Sequence, residues 1–320
     1  MHKTPAMTPR VSVIIPAYNA RSSLGETLDS VIAQTYDDWE AIVADDSSTD
    51  GTVEFASGYH PRVRCVRSER NLGIGGARNL ALTQAAGELV ALLDADDLWR
   101  PEYLQSQVAH YDAAIAAGER VGIVCCDATV VYPSGRQVRS YTRSPITLDT
   151  LLRHNTIYVS ALAPRALIDG LGAFATDCLG TEDYDMWLRI LETGHTALVV
   201  NEPLAIYRDG DETVSSNVAG MARAMQTTYR HALERGRLDA RRRATVRREL
   251  RWQRLIELHA EVASLRIRTG HVPLNTIIRA APLGARVLFE RPTLWFQGVQ
   301  FLSASLRGAW TNSVSRVAAS

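Results

Sequence analysis

The segment 87–97 reads GELVALLDADD and places an apolar strand directly before three carboxylates. Leu89 to Leu93 is short and wholly apolar, which is typical of a strand covered on both faces. The run Ala41 to Ala44 likewise leads into DDSSTDG at 45–51. Ligands bind beyond the carboxyl ends of strands in open α/β sheets, so both acidic segments are expected at one site.

Strands and helices alternate through the first 110 residues. The strand at Val11 to Ile15 stops at Pro16, and Ser23 with Glu26 predicts a capping box for the helix that follows. Further elements are expected at Val63–Val66 (strand), Ile74–Ala86 (helix closed by Gly87) and from Pro101 (helix). This alternation predicts an α/β fold with a mostly parallel, Rossmann-like sheet and helices on both faces.

The pattern is looser after residue 110. Strands are expected at Gly122–Val131 and Ala197–Val200, and a helix at Tyr184–Leu191. Residues 219–269 read as helical, and three prolines break the last fifty residues into short helices. We therefore expect a disordered tail at 1–9, a main domain at 10–218 and a C-terminal helical extension at 219–320.

The net charge of zero conceals two oppositely charged parts. Residues 1–220 hold 17 basic and 29 acidic side chains, whereas residues 221–320 hold 18 and 6. An acidic main domain argues against a nucleic-acid partner, and a basic C-terminal region predicts an anionic one. The four cysteines show no metal-ligand spacing, and no secretory or membrane-spanning segment is visible, so a cytoplasmic location is expected.

The two acidic segments suggest a metal site. Carboxylates packed closely raise each other's pKa unless a cation neutralises them, and Mg²⁺ or Mn²⁺ with oxygen ligands meets that need. The alternative is a solvated turn at 45–51 and an acidic helix cap at 94–97. Each is reasonable alone, but their common position after buried strands favours the metal.

Five segments taken in order are distinctive: VSVIIPAYNA (11–20), ADDSSTDGT (44–52), ERNLGIGGARN (69–79), GELVALLDADDLWRPEYL (87–104) and TEDYDMWLR (181–189). Together they resemble the family 2 glycosyltransferases, which are inverting enzymes of the GT-A fold. The resemblance implies metal-dependent transfer of a sugar from a nucleoside diphosphate sugar, with UDP or dTDP favoured. It divides the main domain into a donor-binding half (10–110) and an acceptor-binding half (111–218).

The resemblance also implies the donor site. Pro16, Ala17 and Tyr18 would line the nucleoside pocket, and Asp46 would accept a hydrogen bond from the base. Arg78 would lie near the base or the diphosphate, the alternative being a surface arginine of its helix.

The metal and the catalytic base follow in the same way. Asp94 and Ala95 would contact the ribose or sugar, and Asp96 would bind Mn²⁺ or Mg²⁺. Asp97 is as well explained as a helix cap. An inverting reaction needs a base that takes the proton of the acceptor hydroxyl, and the family pattern puts it at Asp183. Glu182 and Asp185 remain rivals.

Two features stay open. Where many relatives carry a histidine after Ile206–Arg208, this chain reads DGDE at 209–212. In the C-terminal region, arginines at 241–251 precede an apolar helix face of Trp295, Val299, Leu302 and Leu306. Aromatic anchors beside basic helices indicate peripheral binding to an anionic membrane, at the inner face of the cytoplasmic membrane. Packing on the catalytic domain or a homodimer is the alternative.

Other classes fit less well. Residues 73–78 resemble a dinucleotide fingerprint, but such a fingerprint follows the first strand of its unit, where this chain reads PAYN. A sugar nucleotidyltransferase would show a glycine-rich basic loop there. A non-catalytic nucleotide-sugar-binding scaffold would not need Asp46, Asp96 and Asp183 together. The expected role is glycosyl transfer to a glycan or lipid-linked acceptor in polysaccharide or surface-glycan assembly.

Overall fold

A computed structural model describes residues 8–140, 142, 145–157, 160–209 and 217–269, with side chains to 261. The expectations for residues 1–7 of the tail, for Asp211 and Glu212, and for the apolar helix face at 295–306 lie outside these residues.

The strands are β1 (Val11–Ala17), β2 (Trp39–Asp45), β3 (Val63–Arg67), β4 (Leu89–Leu92), β5 (Leu98–Trp99), β6 (Val121–Val131), β7 (Gln137–Ser140), β8 (Ala161–Pro164) and β9 (Thr196–Arg208). The helices are α1 (Leu24–Ile32), α2 (Thr52–Ala56), α3 (Gly73–Leu82), α4 (Tyr103–Ala116), α5 (Leu148–Leu151), α6 (Arg165–Gly170), α7 (Glu182–Glu192), α8 (Val218–Glu234) and α9 (Ala240–Thr269).

The described strands form one sheet in the order β3-β2-β1-β4-β8-β6-β9-β5, with β7 paired to β6. Strands β1 to β4 pair in parallel, as do β6 and β9. Strand β8 runs antiparallel between β4 and β6, and β5 runs antiparallel to β9. The predicted α/β sheet is confirmed, and its second half is mixed.

Helices cover both faces of the sheet. One core contains Leu24, Leu28 and Leu104 from α1 and α4, and the other contains Ala77 of α3 and Trp187 of α7. The strands supply side chains to both cores, because their residues are buried in succession and successive side chains point to opposite faces of the sheet.

Two local expectations were wrong. The Ser23 side chain makes no capping hydrogen bond to α1, because its backbone is already helical and its hydroxyl donates to the Ala20 carbonyl (3.3 Å). Helix α3 ends at Leu82 rather than Ala86. The residues between them form turns that bring Ala86 N–H to the Glu40 carboxylate (2.8 Å).

The C-terminal helices pack on the rest of the chain as far as Leu250. Tyr229 and Ala232 of α8 and Val246 of α9 are buried in the same core as Trp187. Arg235 pairs with Asp185 and Glu192 of α7 at 2.8 Å each. None of the described helices combines the length and the apolar character needed to cross a bilayer.

Candidate active site

Two loops at the carboxyl ends of β1 and β2 are fastened to each other. The backbone N–H of Asn19 donates to Ser48 Oγ (2.8 Å), and Thr49 N–H donates to Asn19 Oδ1 (2.9 Å). Asn19 and Ser47 both have positive φ, at 50° and 66°. These tight turns let the loops after β1 and β2 leave the sheet edge side by side.

Asp46 organises the third loop at this edge. Its buried carboxylate accepts hydrogen bonds from the N–H groups of Leu72 (2.7 Å) and Gly73 (2.8 Å) and from the hydroxyl of Ser68 (3.0 Å). Asp46 therefore fixes the loop before α3. A carboxylate has about four acceptor positions, so one remains for a ligand N–H.

The residues expected to line a nucleoside pocket differ in accessibility. Pro16 and Ala17 are buried at the end of β1, where the Ala17 carbonyl accepts the N–H of Asp46 (2.7 Å). Tyr18 is 56% exposed. Of these three side chains, the Tyr18 ring is the one available for stacking on a base.

The acidic loop after β4 lies on the other side of β1. Asp46 and Asp94 follow strands that flank β1, so two strand spacings, about 10 Å across the sheet, separate them. Asp94 is partly buried, Ala95 is 8% exposed, Asp96 is exposed and Asp97 is 3% exposed. One edge of the sheet therefore carries both acidic segments.

The carboxyls of this loop disfavour each other's ionisation. Although the Asp96 side chain reaches solvent, partial desolvation of its carboxyl and the neighbouring Asp94 raise its pKa above the usual value. Burial, Asp94 and Asp96 raise the pKa of Asp97 well above its usual value. A positive charge bound here would relieve this repulsion.

Arg208, at the end of β9, is one of two arginines that contact the loop. Its backbone N–H donates to Asp97 Oδ1 (3.0 Å), and its guanidinium donates to the Asp96 carbonyl and to the Glu26 carboxylate. Asp97 is thus held by the backbone of β9, and its role is structural rather than that of a metal ligand. No motif spacing predicted Arg208, because it reaches the loop from more than a hundred residues downstream.

Arg78 is buried between two acids. It is 1% exposed; one terminal nitrogen donates to Asp94 Oδ1 (2.9 Å), and the other donates to Glu182 Oε1. Despite the burial, these two carboxylates raise the pKa of the guanidinium. The structure excludes a surface arginine and makes Arg78 the link between the acidic loop and α7.

The three acids at the start of α7 are distinguished by their partners. Both Glu182 oxygens are engaged, one by Arg78 and the other by the N–H of Gly180 (2.9 Å). Asp185 pairs instead with Arg189 (2.9 Å) and Arg235 (2.8 Å). Both rivals for the role of base are therefore committed to structural contacts.

Asp183 has an oxygen to spare. Its Oδ1 accepts the N–H of Tyr184 (2.7 Å), and its Oδ2 has no hydrogen bond within the described part of the chain. Burial raises its pKa, an effect that the nearby Arg78 opposes. The nearby Asp94 also raises the pKa of Asp183, so this carboxylate belongs to the same cluster as the acidic loop.

The donor set fits a hard divalent cation. Asp96 offers an exposed carboxylate with no ion pair among the described residues, and Asp94 keeps one oxygen free of Arg78. One or two carboxylates are the usual protein share of a Mg²⁺ site, with phosphate oxygens and water completing it. The residues present therefore suit such an ion.

The parallel unit β3-β2-β1-β4, its acidic loops and the mixed half built on β8 and β6 define a GT-A glycosyltransferase fold. Solved structures of similar fold include Staphylococcus aureus TarS 1–349 with UDP-GlcNAc (TM-score 0.63, 19% identity, 90% of this chain and 92% of that chain). Another is the mannosyltransferase PcManGT from Pyrobaculum calidifontis with GDP-Man and Mn²⁺ (TM-score 0.59, 24% identity, 94% and 87%).

Sequence comparison gives the family. The model of glycosyl transferase family 2 matches residues 12–169. The chain is 34% identical to the putative teichuronic acid biosynthesis glycosyltransferase TuaG of Bacillus subtilis, over 69% of this chain and 88% of TuaG. It is 30% identical to the Escherichia coli glucosyltransferase WfgD, over 65% and 80%. The chain belongs to glycosyltransferase family 2.

Proposed function

We propose that this protein is a metal-dependent inverting glycosyltransferase that uses a nucleoside diphosphate sugar and a hydroxyl acceptor. The observation that carries the proposal is the continuous cluster Asp94–Arg78–Glu182, with Asp183 beside it. It joins the acidic loop to an available carboxylate, and sugar transfer with inversion requires both.

The nucleotide is proposed to bind across the ends of β1, β2 and β4. Asp46 accepts the N–H of a uracil or thymine base with its remaining acceptor position, and Tyr18 provides a face for stacking. Asp94 and Ala95 face the ribose or sugar. These roles favour UDP or dTDP over nucleotides whose bases lack that N–H.

Asp96, with Asp94, would hold Mn²⁺ or Mg²⁺, which when bound stabilises the negative charge of the departing diphosphate. Arg78 does not replace the ion, because both of its terminal nitrogens are engaged by protein carboxylates. We assign Arg78 to positioning Asp94 rather than to direct contact with phosphate.

Asp183 is proposed as the general base. Its free oxygen accepts the acceptor's proton while the hydroxyl oxygen attacks the anomeric carbon from the face opposite the leaving group. The hydrogen bond from Tyr184 N–H holds the carboxylate in one rotamer. Its raised pKa makes it a better proton acceptor than an ordinary aspartate.

The acceptor proposal rests on the relatives. WfgD is named for glucose transfer from UDP-Glc to GlcNAc-diphosphoundecaprenol, and TuaG is named for teichuronic acid biosynthesis. A glycan or lipid-linked acceptor and a role in polysaccharide or surface-glycan assembly agree with those names. The inner face of the cytoplasmic membrane is our proposal for where this assembly takes place.

A donor screen tests the proposal. The purified protein is incubated with Mn²⁺ and each of a set of UDP-, dTDP- and GDP-sugars, and release of free nucleotide is measured with and without EDTA. We expect slow, EDTA-sensitive hydrolysis of one UDP- or dTDP-sugar. Pyrophosphate release from a nucleoside triphosphate would indicate a sugar nucleotidyltransferase, and nucleotide binding without any turnover would indicate a scaffold.

A further inference from the structure

Between Arg241 and Arg254, helix α9 exposes charge of one sign along its outer side. Between Arg241 and Arg254 the sequence holds seven arginines and a single acid, Glu249, which is 2% exposed and contacts Arg248 (3.2 Å). The inner side of the helix is marked by Val246 and Glu249, which are buried. Residues 241–254 therefore contribute no exposed carboxylate that could neutralise the arginines of the outer side.

Three of these arginines stand exposed without an ion pair in the part of the chain that the structure describes: Arg241, Arg247 and Arg254. Arg153, in the loop after α5, is a fourth, and together they are called the basic face. Arg242 of α9 pairs with Asp149 of α5 (2.9 Å), so the loop after α5 and the start of α9 are close, and Arg242, then Arg241 and Arg153, lower the pKa of Asp149.

The shape of the basic face suits an extended surface better than a small anion. Arg241 and Arg254 are about 20 Å apart along the helix axis at 1.5 Å per residue. A single phosphate group needs donors that converge on a point, whereas these guanidiniums are spread along the helix and around its outer side. An array of negative headgroups matches that spacing.

Apolar side chains share the outer side. Leu258 lies at i+4 from Arg254 and i+11 from Arg247, a spacing that keeps all three on one helix face. Leu255 and Leu258 are both half-exposed. Leucines beside arginines are characteristic of helices that lie at a lipid interface, where the leucines enter the acyl boundary. A nucleic-acid site gains nothing from them.

We infer that the basic face of α9 docks the protein on an anionic lipid bilayer. The inference builds on the proposed function, since an acceptor carried by a lipid would be presented at such a surface. The opposite charge balance of the two parts of the chain orients the protein: the acidic residues 1–220 are repelled by the same headgroups that attract α9.

The test uses the full-length, nuclease-treated protein and vesicles of phosphatidylcholine with or without phosphatidylglycerol. We expect sedimentation with the anionic vesicles and its loss at high salt. The double variant Arg247→Gln/Arg254→Gln should reduce the partition coefficient about 25-fold, since each arginine near the surface contributes about fivefold.

The matched control removes the same charge elsewhere, as Arg120→Gln/Arg136→Gln, two exposed arginines of the catalytic domain. It should bind vesicles like the unaltered protein. Equal loss in both variants, equal binding to neutral vesicles, or binding to RNA but not to vesicles would each overturn the inference.

UDP binding by the same proteins, measured without vesicles, separates the two proposals. Unchanged UDP binding with lost sedimentation supports the docking surface alone. Vesicle binding by a protein with no affinity for any nucleotide sugar would sink the proposed function and leave the docking surface standing.

Discussion

Arg78 and Glu182, 104 positions apart in the chain, form a fully buried ion pair that joins α3 to α7. The same guanidinium bonds Asp94, so one side chain connects the acidic loop to the helix that carries the proposed base. A change at Arg78 should therefore affect both parts of the site.

Arg78→Met should lower the free energy of unfolding by about 3–5 kcal/mol, because it leaves Glu182 buried without its cation. Arg78→Met/Glu182→Gln should recover part of that loss, since the uncompensated charge is removed as well. Urea unfolding of the two single variants and the double variant gives the coupling energy. Strictly additive effects would show that the pair is not energetically linked.

Asp183→Asn should reduce kcat by about 10²–10⁴-fold, the usual contribution of a general base, with little change in UDP-sugar affinity. Asparagine keeps the oxygen that accepts Tyr184 N–H, so the helix start should be preserved. Turnover and calorimetric donor binding provide the two readouts. Near-normal turnover would refute the base assignment.

The pH dependence of kcat/KM should show an acidic limb set by Asp183. The base works as a carboxylate, so activity is present above its pKa and is lost as the pH falls through it. Because burial raises that pKa, the loss should begin at a higher pH than for an exposed aspartate. A flat profile down to the usual aspartate range would contradict the proposed environment.

Asp96→Ala should weaken UDP binding in the presence of Mn²⁺ and leave the metal-free affinity nearly unchanged. The physical reason is loss of the exposed carboxylate of the acidic loop. Asp169→Ala, an exposed acid near the other end of the sheet, is the control. Titration calorimetry with and without EDTA measures the difference, and an equal effect of both variants would count against a metal role.

Gly75→Ala should disturb the same junction by steric means. A Cβ at Gly75 would lie 2.3 Å from the Ala175 carbonyl oxygen and 3.5 Å from Glu182 Cβ. The distance to Glu182 is an ordinary contact, so we expect α3 to be pushed away from the loop that carries Ala175, with a Tm lower by several degrees and reduced turnover. Gly170→Ala, whose Cβ would meet nothing within 4 Å, should leave the Tm nearly unchanged.

The strands and helices of the first 110 residues could be predicted from the sequence because their signals are local. An apolar run such as Leu89–Leu92 in β4, bounded by a turn and followed by a polar cluster, specifies a buried strand and its end without reference to distant residues. The carboxylates that follow such strands could therefore be assigned to one sheet edge. The sequence signals are weaker after residue 110. Strands β5 and β8 are in addition too short to show a period.

Only the tertiary structure decided how the acids of that edge are used. Asp97, Glu182 and Asp185 are each committed to partners within the protein, Asp46 keeps one acceptor position, and Asp94, Asp96 and Asp183 each keep a free oxygen. These partners are not encoded in local spacing: Arg78 meets Glu182 because α3 and α7 pack in the same core, and Arg208 meets Asp97 because β5 pairs with β9. Sequence patterns fix where a carboxylate emerges, whereas long-range packing fixes which charge it faces.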